Sequence, residues 1–471
     1  MSNIFETAKK AAIGKGLELA LKHAKKDSRD GLLDIINLFE KHMPLAGSDS
    51  GFTQAKEILG NTNSKWTVFA NSLLSDVDMN IIKTILLNGS YEAGYKGREI
   101  SRDMRIKYQS NMPLSIVLDP TNACDLNCSG CLSTGNDGSQ YLSFEEMDSI
   151  VTQGKNLGTY LYHFSGGEPL LRKSDIMRLA YKHDDCIFHV ITNGTLIEQQ
   201  FCKDVKNAGN IFLSISLDGL EHTNDSRRGN GSFEKIMSAM SLMRNAGLLF
   251  GTSVCCTSLN CQDVASDEFY DMLIAKGSRY CLYFQYLPVG NGAVPELMPS
   301  PEQCEYMYRR IRYIRSQECD KPIFAADFLN DEEFLGGCIA GSRGFLHISA
   351  NGYIEPCIFI HYSNANIRRV SLLDAIRQPL FMEFANNQPF NENLLCPCPL
   401  LDNPEFLQEL IKKSRAKSTD LESPESVENL CEKCTQFAAD WRPAADRLWK
   451  ESGHELPIIK KAYTEEKHIF E

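Results

Sequence analysis

Apolar positions change their period along this chain, and the changes divide it. Near the start, Phe5, Ala8, Ala12, Leu17, Leu19, Ala20, Leu21 and Ala24 interleave with Lys9, Lys10, Lys15, Lys22, Lys25 and Lys26. That is the pattern of a short basic amphipathic helix. A second helix is expected over residues 31–42. The Gly, Ser, Asn and Thr content of residues 45–63 predicts a loop, and residues 66–87 read as one helix. From residue 113 the pattern alternates. Strand-like runs at 114–119, 159–164, 187–192, 211–217, 249–257 and 280–286 are separated by helical runs, among them 143–157, 233–246 and 301–315. This is βα spacing, which calls for a parallel sheet. Six repeats are too few for a closed eight-stranded barrel. Ligands are expected at the C-terminal ends of the strands. Further on, residues 343–357 read as a hairpin with a turn at Asn351-Gly352.

Length and charge narrow the class. A chain of 52.9 kDa has room for two or three domains. The boundaries expected are 1–112, helical; 113–320, the βα core; 321–440, a second cysteine-bearing domain; and 441–471, a tail. A net charge of −12 argues against a general nucleic-acid surface. No run of 18 uncharged apolar residues occurs, so no transmembrane helix is expected. The charged first thirty residues lack the apolar centre of a secretory signal. Seventeen cysteines without an export signal point to a reducing cytoplasm and to metal ligation rather than disulfides. The basic N-terminal helix has two readings. It caps the next domain, or it seats the protein peripherally on the inner face of a membrane.

Three cysteines carry the chemistry. Cys124, Cys128 and Cys131 form C-x3-C-x2-C directly after the strand run at 114–119. Three thiolates so close can hold three corners of an Fe–S cube and leave the fourth iron open. A structural zinc with a distant fourth ligand is the alternative. The next strand run ends in Gly166-Gly167-Glu168-Pro169. Two glycines let backbone approach a ligand closely, and Glu168 offers a carboxylate to an ammonium group.

With triad and GGEP at successive strand ends, the chain resembles the radical S-adenosylmethionine (radical SAM) superfamily. The resemblance covers about two thirds of the sequence. It implies an α/β fold: a partial (β/α)6 barrel core, an N-terminal helical region and a C-terminal auxiliary-cluster domain. It implies a SAM-binding [4Fe–4S] cluster on Cys124, Cys128 and Cys131. SAM contacts would come from Gly166, Gly167, Glu168, Pro169, Asn193, Ser216, Asp218 and Arg228. Ser216 and Asp218 would lie near the ribose and carboxylate, and Arg228 would grip the methionine carboxylate bidentately. The plainer alternatives are a turn at Asp218-Gly219 and a solvated Arg227-Arg228 pair. One departure is visible. The residue before the third Cys is often aromatic in this superfamily, and here it is Gly130.

The C-terminal cysteines resemble a shortened SPASM or Twitch region. Cys338, Gly352 and Cys357 give C-x13-G-x4-C, followed by Cys396-Pro-Cys398 and Cys431-x2-Cys434. The resemblance implies one auxiliary [4Fe–4S] cluster, with ligands drawn from Cys338, Cys357, Cys398, Cys431 and Cys434. Zinc is again the alternative. Cys186, Cys202, Cys255, Cys256, Cys261, Cys281, Cys304 and Cys319 read as small core hydrophobes. His163 and His361 are candidates for substrate contact. The implied activity is reductive cleavage of SAM to a 5′-deoxyadenosyl radical that takes hydrogen from an unactivated C–H bond. A ferredoxin or flavodoxin would supply the electron. One substrate reading is lipid acyl chains, coupled into membrane-spanning lipids. The alternatives are a peptide or protein, as for SPASM maturases, or a small molecule in cofactor biosynthesis.

Overall fold

The computed structural model describes residues 2–42, 49–133, 138–290 and 293–453. The start of the loop expected at 45–63, and the end of the tail expected at 441–471, lie outside the described residues. The first six helices are α1 (Ser2–Ala24), α2 (Ser28–His42), α3 (Asp49–Gly60), α4 (Lys65–Asp76), α5 (Met79–Leu87) and α6 (Arg98–Tyr108), with a π-helical stretch at Asn88–Gly97. Two expectations are corrected here. The polar segment taken for a loop contains α3, which packs on α2 and gains a Lys56–Glu40 ion pair at 2.6 Å; tertiary contact overrides weak propensity. The single helix expected at 66–87 is two, because Val77 is extended and Asp78 caps α5 by accepting from Asn80 N at 2.8 Å.

The basic helix turns its apolar side inward. Ile13, Leu17 and Leu21 are buried, and Leu17 and Leu21 share a core with Leu32, Ile35 and Leu74. Lys10 pairs with Glu92 at 2.6 Å, and Lys9 lies 3.9 Å over the Tyr95 ring. Leu19 is largely exposed, and Ala8 and Ala12 of the same run are exposed too. No helix among the described residues is long and apolar enough to cross a membrane. Leu17→Ala should cost about 2–5 kcal/mol, the range for a fully buried leucine, read as a lower unfolding midpoint.

Strands β1 (Ser115–Leu118), β2 (Leu161–Phe164), β3 (Ile187–Thr192), β4 (Ile211–Ser216), β5 (Phe250–Cys256) and β6 (Tyr280–Gln285) follow the predicted runs within three residues at each end. All neighbours among them pair in parallel. The sheet does not stop at six. β7 (Phe324–Asp327) joins β6, while β8 (Phe345–Ile348) joins β1 in parallel and carries β9 (Ile354–Glu355) as the predicted hairpin. The nine-strand order is β7-β6-β5-β4-β3-β2-β1-β8-β9. The expected boundary at 320 therefore falls between two paired strands. Segments flanking the two edges also meet: the Phe328 and Phe345 rings are 5.9 Å apart. The boundary expected at 440 lies within the continuous helix Val427–Ser452.

Parallel strands give the sheet two distinct ends. The helical region sits on the N-terminal one. Asn88 donates to the carbonyls of Asp184 and Cys186 ahead of β3, Asp78 N bonds Gly247 O ahead of β5, and Arg279 ahead of β6 pairs with Asp76. The cysteine loop and GGEP follow β1 and β2 at the opposite end.

Candidate functional site

The cysteine loop is tied to its surroundings at several points. Ser129 N donates to Arg227 O at 3.1 Å, and Cys131 N to Cys128 O at 3.2 Å. Asn193 Nδ2 donates to Asp125 Oδ1 at 2.7 Å, which brings the end of β3 against Cys124. The three thiols are partly exposed, a state shared by only two others of the 17, Cys255 and Cys398. Burial raises the Cys124 thiol to about 11. Cys128 is raised by burial too, with Arg228 and Arg227 opposing. Cluster ligation needs thiolates, and bound iron supplies the charge that holds them deprotonated. Three neighbouring thiols beside two guanidiniums fit that group. Among the described residues no three His, Cys, Asp or Glu converge as they would on a single ion. Cube ligands each take a separate iron.

GGEP packs closely on the cysteine loop. Gly166 has φ +97°, and a Cβ there would lie 2.7 Å from Thr121 O; at Gly167 it would lie 2.1 Å from Ala123 O. The close approach is to the cysteine loop itself. Gly167 N and Glu168 N donate to Thr121 O and Ala123 O. Glu168 is 1% exposed, and three donors already reach its carboxylate: Leu170 N at 2.8 Å, Thr192 Oγ1 at 2.7 Å and Asn193 N at 2.8 Å. Burial raises this carboxyl to about 7 against those donors. An ammonium at its remaining acceptor position would favour the charged form. Pro169 begins a short 3-10 turn directly after it. Gly167→Ala must push the cysteine loop away, so iron retained after reconstitution should fall from about eight per chain towards about four.

Asp218, two residues after β4, is bonded within the protein. It is fully buried, and its Oδ2 accepts from Arg227 Nη1 and Arg228 Nε, each at 2.6 Å, while Oδ1 accepts from Cys255 N. Its carboxylate orients two arginines instead of facing a ligand. Burial opposes its ionisation, but Arg228 and Arg227 outweigh it and hold the group at about 2. Arg228 is mostly buried in this pair, and so is Arg227, whose Nε has no hydrogen-bond partner. Ser216 ends β4 half-buried, opposite Ser253 of β5.

Some contributors escaped the sequence reading. Cys255, read as a core hydrophobe, is partly exposed at the end of β5; burial raises its thiol to about 11, with Arg227 opposing and Asp218 adding to the rise. The aromatic missing beside the third Cys is Tyr286, directly after β6, in the run from Gln285 for which the resemblance implies backbone contact to adenine but no side-chain role. Gly130 has φ +66°, and a Cβ there would sit 2.8 Å from Tyr286 Cε2. His163 is taken up by a buried contact, Nδ1 to His189 Nδ1 at 2.9 Å, and burial lowers it to about 4.

The C-terminal cysteines divide. Cys338, Cys357 and Cys398 line one cavity with Phe328, Phe345 and Glu332. Cys431 and Cys434 are not among its lining residues. They lie in the first turns of the helix Val427–Ser452. Arg343 fixes the Cys338 loop by donating to the carbonyls of Gly337 and Cys338. A buried chain joins the two cysteine regions. His347 of β8 bonds Asp119 and Glu355, both at 2.8 Å, and Glu355 also bonds His361 at 3.3 Å. Burial opposes charge on His347, but the flanking carboxylates raise it to about 10.

Residues 118–262 match the model of the Radical SAM superfamily. Fe-coproporphyrin III synthase of Methanosarcina barkeri is 28% identical over 47% of this chain and 57% of its own length. PqqA peptide cyclase of Granulibacter bethesdensis is 25% identical over 52% of this chain and 67% of its own. The match thus spans little more than half of the first relative. Streptococcus suis SuiB, solved with the precursor peptide SuiA, shares the fold with a TM-score of 0.50 at 18% identity, covering 66% of this chain and 80% of that one.

Proposed function

Because residues 118–262 form a radical SAM domain, we propose that this chain is an enzyme that cleaves SAM reductively and takes hydrogen from a C–H bond of its substrate. The observation that carries this is the locked loop: three partly exposed thiols, braced by GGEP below and by the Arg227–Arg228–Asp218 cluster beside them. When bound, a [4Fe–4S] cluster would supply one electron to SAM, whose S–C5′ bond then breaks to give methionine and a 5′-deoxyadenosyl radical. The chain's residues do the rest. Cys124, Cys128 and Cys131 hold three irons. Glu168 presents a buried acceptor to the amino group, and Arg228 a guanidinium to the carboxylate. Tyr286, beside Gly130, shields the loop from water.

Relatives named for peptide cyclisation and for porphyrin synthesis support a peptide or small-molecule substrate. The lipid reading relied on an N-terminal helix that offers apolar residues to a membrane. That helix buries Leu17, Ala20, Leu21 and Ala24 internally, and its region covers the sheet end remote from the cysteine loop. An auxiliary cluster at Cys338, Cys357 and Cys398 belongs to the same reading. Anaerobic reconstitution, reduction with dithionite and addition of SAM should release 5′-deoxyadenosine. A fully reconstituted protein that releases none overturns the proposal.

A further inference from the structure

The auxiliary site has three thiols on its cavity and needs a fourth corner. Cys338, Cys357 and Cys398 come from three separate segments and converge there. The remaining C-terminal candidates do not complete the set. Cys431 and Cys434 are not on the cavity lining; Cys431 lies near Glu428 and Glu425, and Cys434 near Lys433 and Asp402. Cys396 faces Asp402, Arg442 and Asp446.

Glu332 does line the cavity. Only 3% of it is exposed. Its Oε1 accepts a long bond from Ile339 N at 3.3 Å, and its Oε2 has no partner. A buried carboxylate oxygen left unsatisfied is costly unless something binds it. Iron among three thiolates is such a partner. The same cavity holds a second unsatisfied group of opposite kind, Gln285 Nε2, an N–H donor suited to a cluster sulfide. Asp402 also has an unpartnered oxygen, but it lies behind Cys398, whose N–H it accepts, and is not on the lining.

We propose that Glu332 is the fourth protein ligand of the auxiliary cluster, giving a Cys338, Cys357, Cys398 and Glu332 set that excludes Cys431 and Cys434. This rests on the auxiliary-cluster reading above. A carboxylate corner makes a less electron-rich iron than a thiolate, so it sets the cluster's potential and spectrum.

The test uses the full chain with Cys124, Cys128 and Cys131 all changed to Ala, so that every remaining iron is auxiliary. Iron and sulfide per chain, EPR spectra and far-UV circular dichroism are read after anaerobic reconstitution. The parent should hold about four irons. Adding Glu332→Ala should release one, leaving about three and a three-iron EPR signal in the oxidised state. Glu332→Cys should restore about four irons with a shifted spectrum and a more negative potential. Cys431→Ala, Cys434→Ala and Asp402→Asn should each keep the parent's spectrum. Glu332→Ala with four irons and an unchanged spectrum overturns the assignment. So does loss of the cluster in Cys431→Ala or Cys434→Ala. If Glu332→Ala unfolds, Glu332→Cys decides: failure of that variant to hold four irons also overturns it. A parent without iron removes the auxiliary cluster altogether, while SAM cleavage by the intact chain tests the main reading separately.

Discussion

Changing Cys124, Cys128 or Cys131 to Ala should abolish 5′-deoxyadenosine release, with the product falling to the level of a no-enzyme control. Each change leaves two thiolates for a cube, and such a cube does not persist. No other side chain is placed to substitute cleanly. Cys255, beside the Arg227–Asp218 pair at the end of β5, is a further partly exposed thiol near the loop, but its N–H is tied to Asp218 Oδ1. Circular dichroism should stay native, because the three side chains are partly exposed and the loop keeps its backbone bonds to Arg227 O and GGEP. Full activity in any one variant would remove that cysteine from the site.

Asp218→Ala should be the most damaging change outside the cysteines. It leaves two largely buried guanidiniums facing each other with no counter-charge and strips Cys255 N of its acceptor. Breaking a buried pair this way costs about 3–5 kcal/mol. Thermal unfolding should show the loss, and the cluster loop should loosen with it, since Arg227 O holds Ser129 N. The native chain should show the same linkage in pH. Pairing lowers the Asp218 carboxyl from 3.8 to about 2. Its contribution, about 2 kcal/mol, is complete above the unfolded value near 4 and fades as pH falls towards 2. In Asp218→Ala that part of the acid sensitivity should vanish. An unaltered acid-unfolding midpoint would show that the pair does not stabilise the fold.

The helix at the N-terminus illustrates how a pattern can be right and its meaning open. Alternating lysine and apolar residues predict a helix with an apolar face, and α1 is a helix that buries Ile13, Leu17 and Leu21 but leaves Ala8, Ala12 and Leu19 exposed. Periodicity says which residues share a face; it does not say what covers that face. Here the cover is protein, with Leu17 and Leu21 against Leu32, Ile35 and Leu74.

The sequence alone determined the parts governed by local spacing. Six parallel strands, the helices between them, the Asn351-Gly352 hairpin and the cysteine triad beside GGEP all follow from period and from short-range motif. Residues distant in the chain depended on the tertiary structure. β8 completes the sheet beside β1 across more than half of the core, a pairing that no short window contains. Asp218 has the sequence of a simple turn, and only folding brings both arginines to one of its oxygens. Tyr286, directly after β6 and four strands along the sheet from β2, fills the space over Gly130. Five C-terminal cysteines looked equivalent by spacing, yet three converge on one cavity and two do not. Glu332 carries no motif at all. Its significance comes from burial and an unpaired oxygen, which are properties of packing and not of the order of residues.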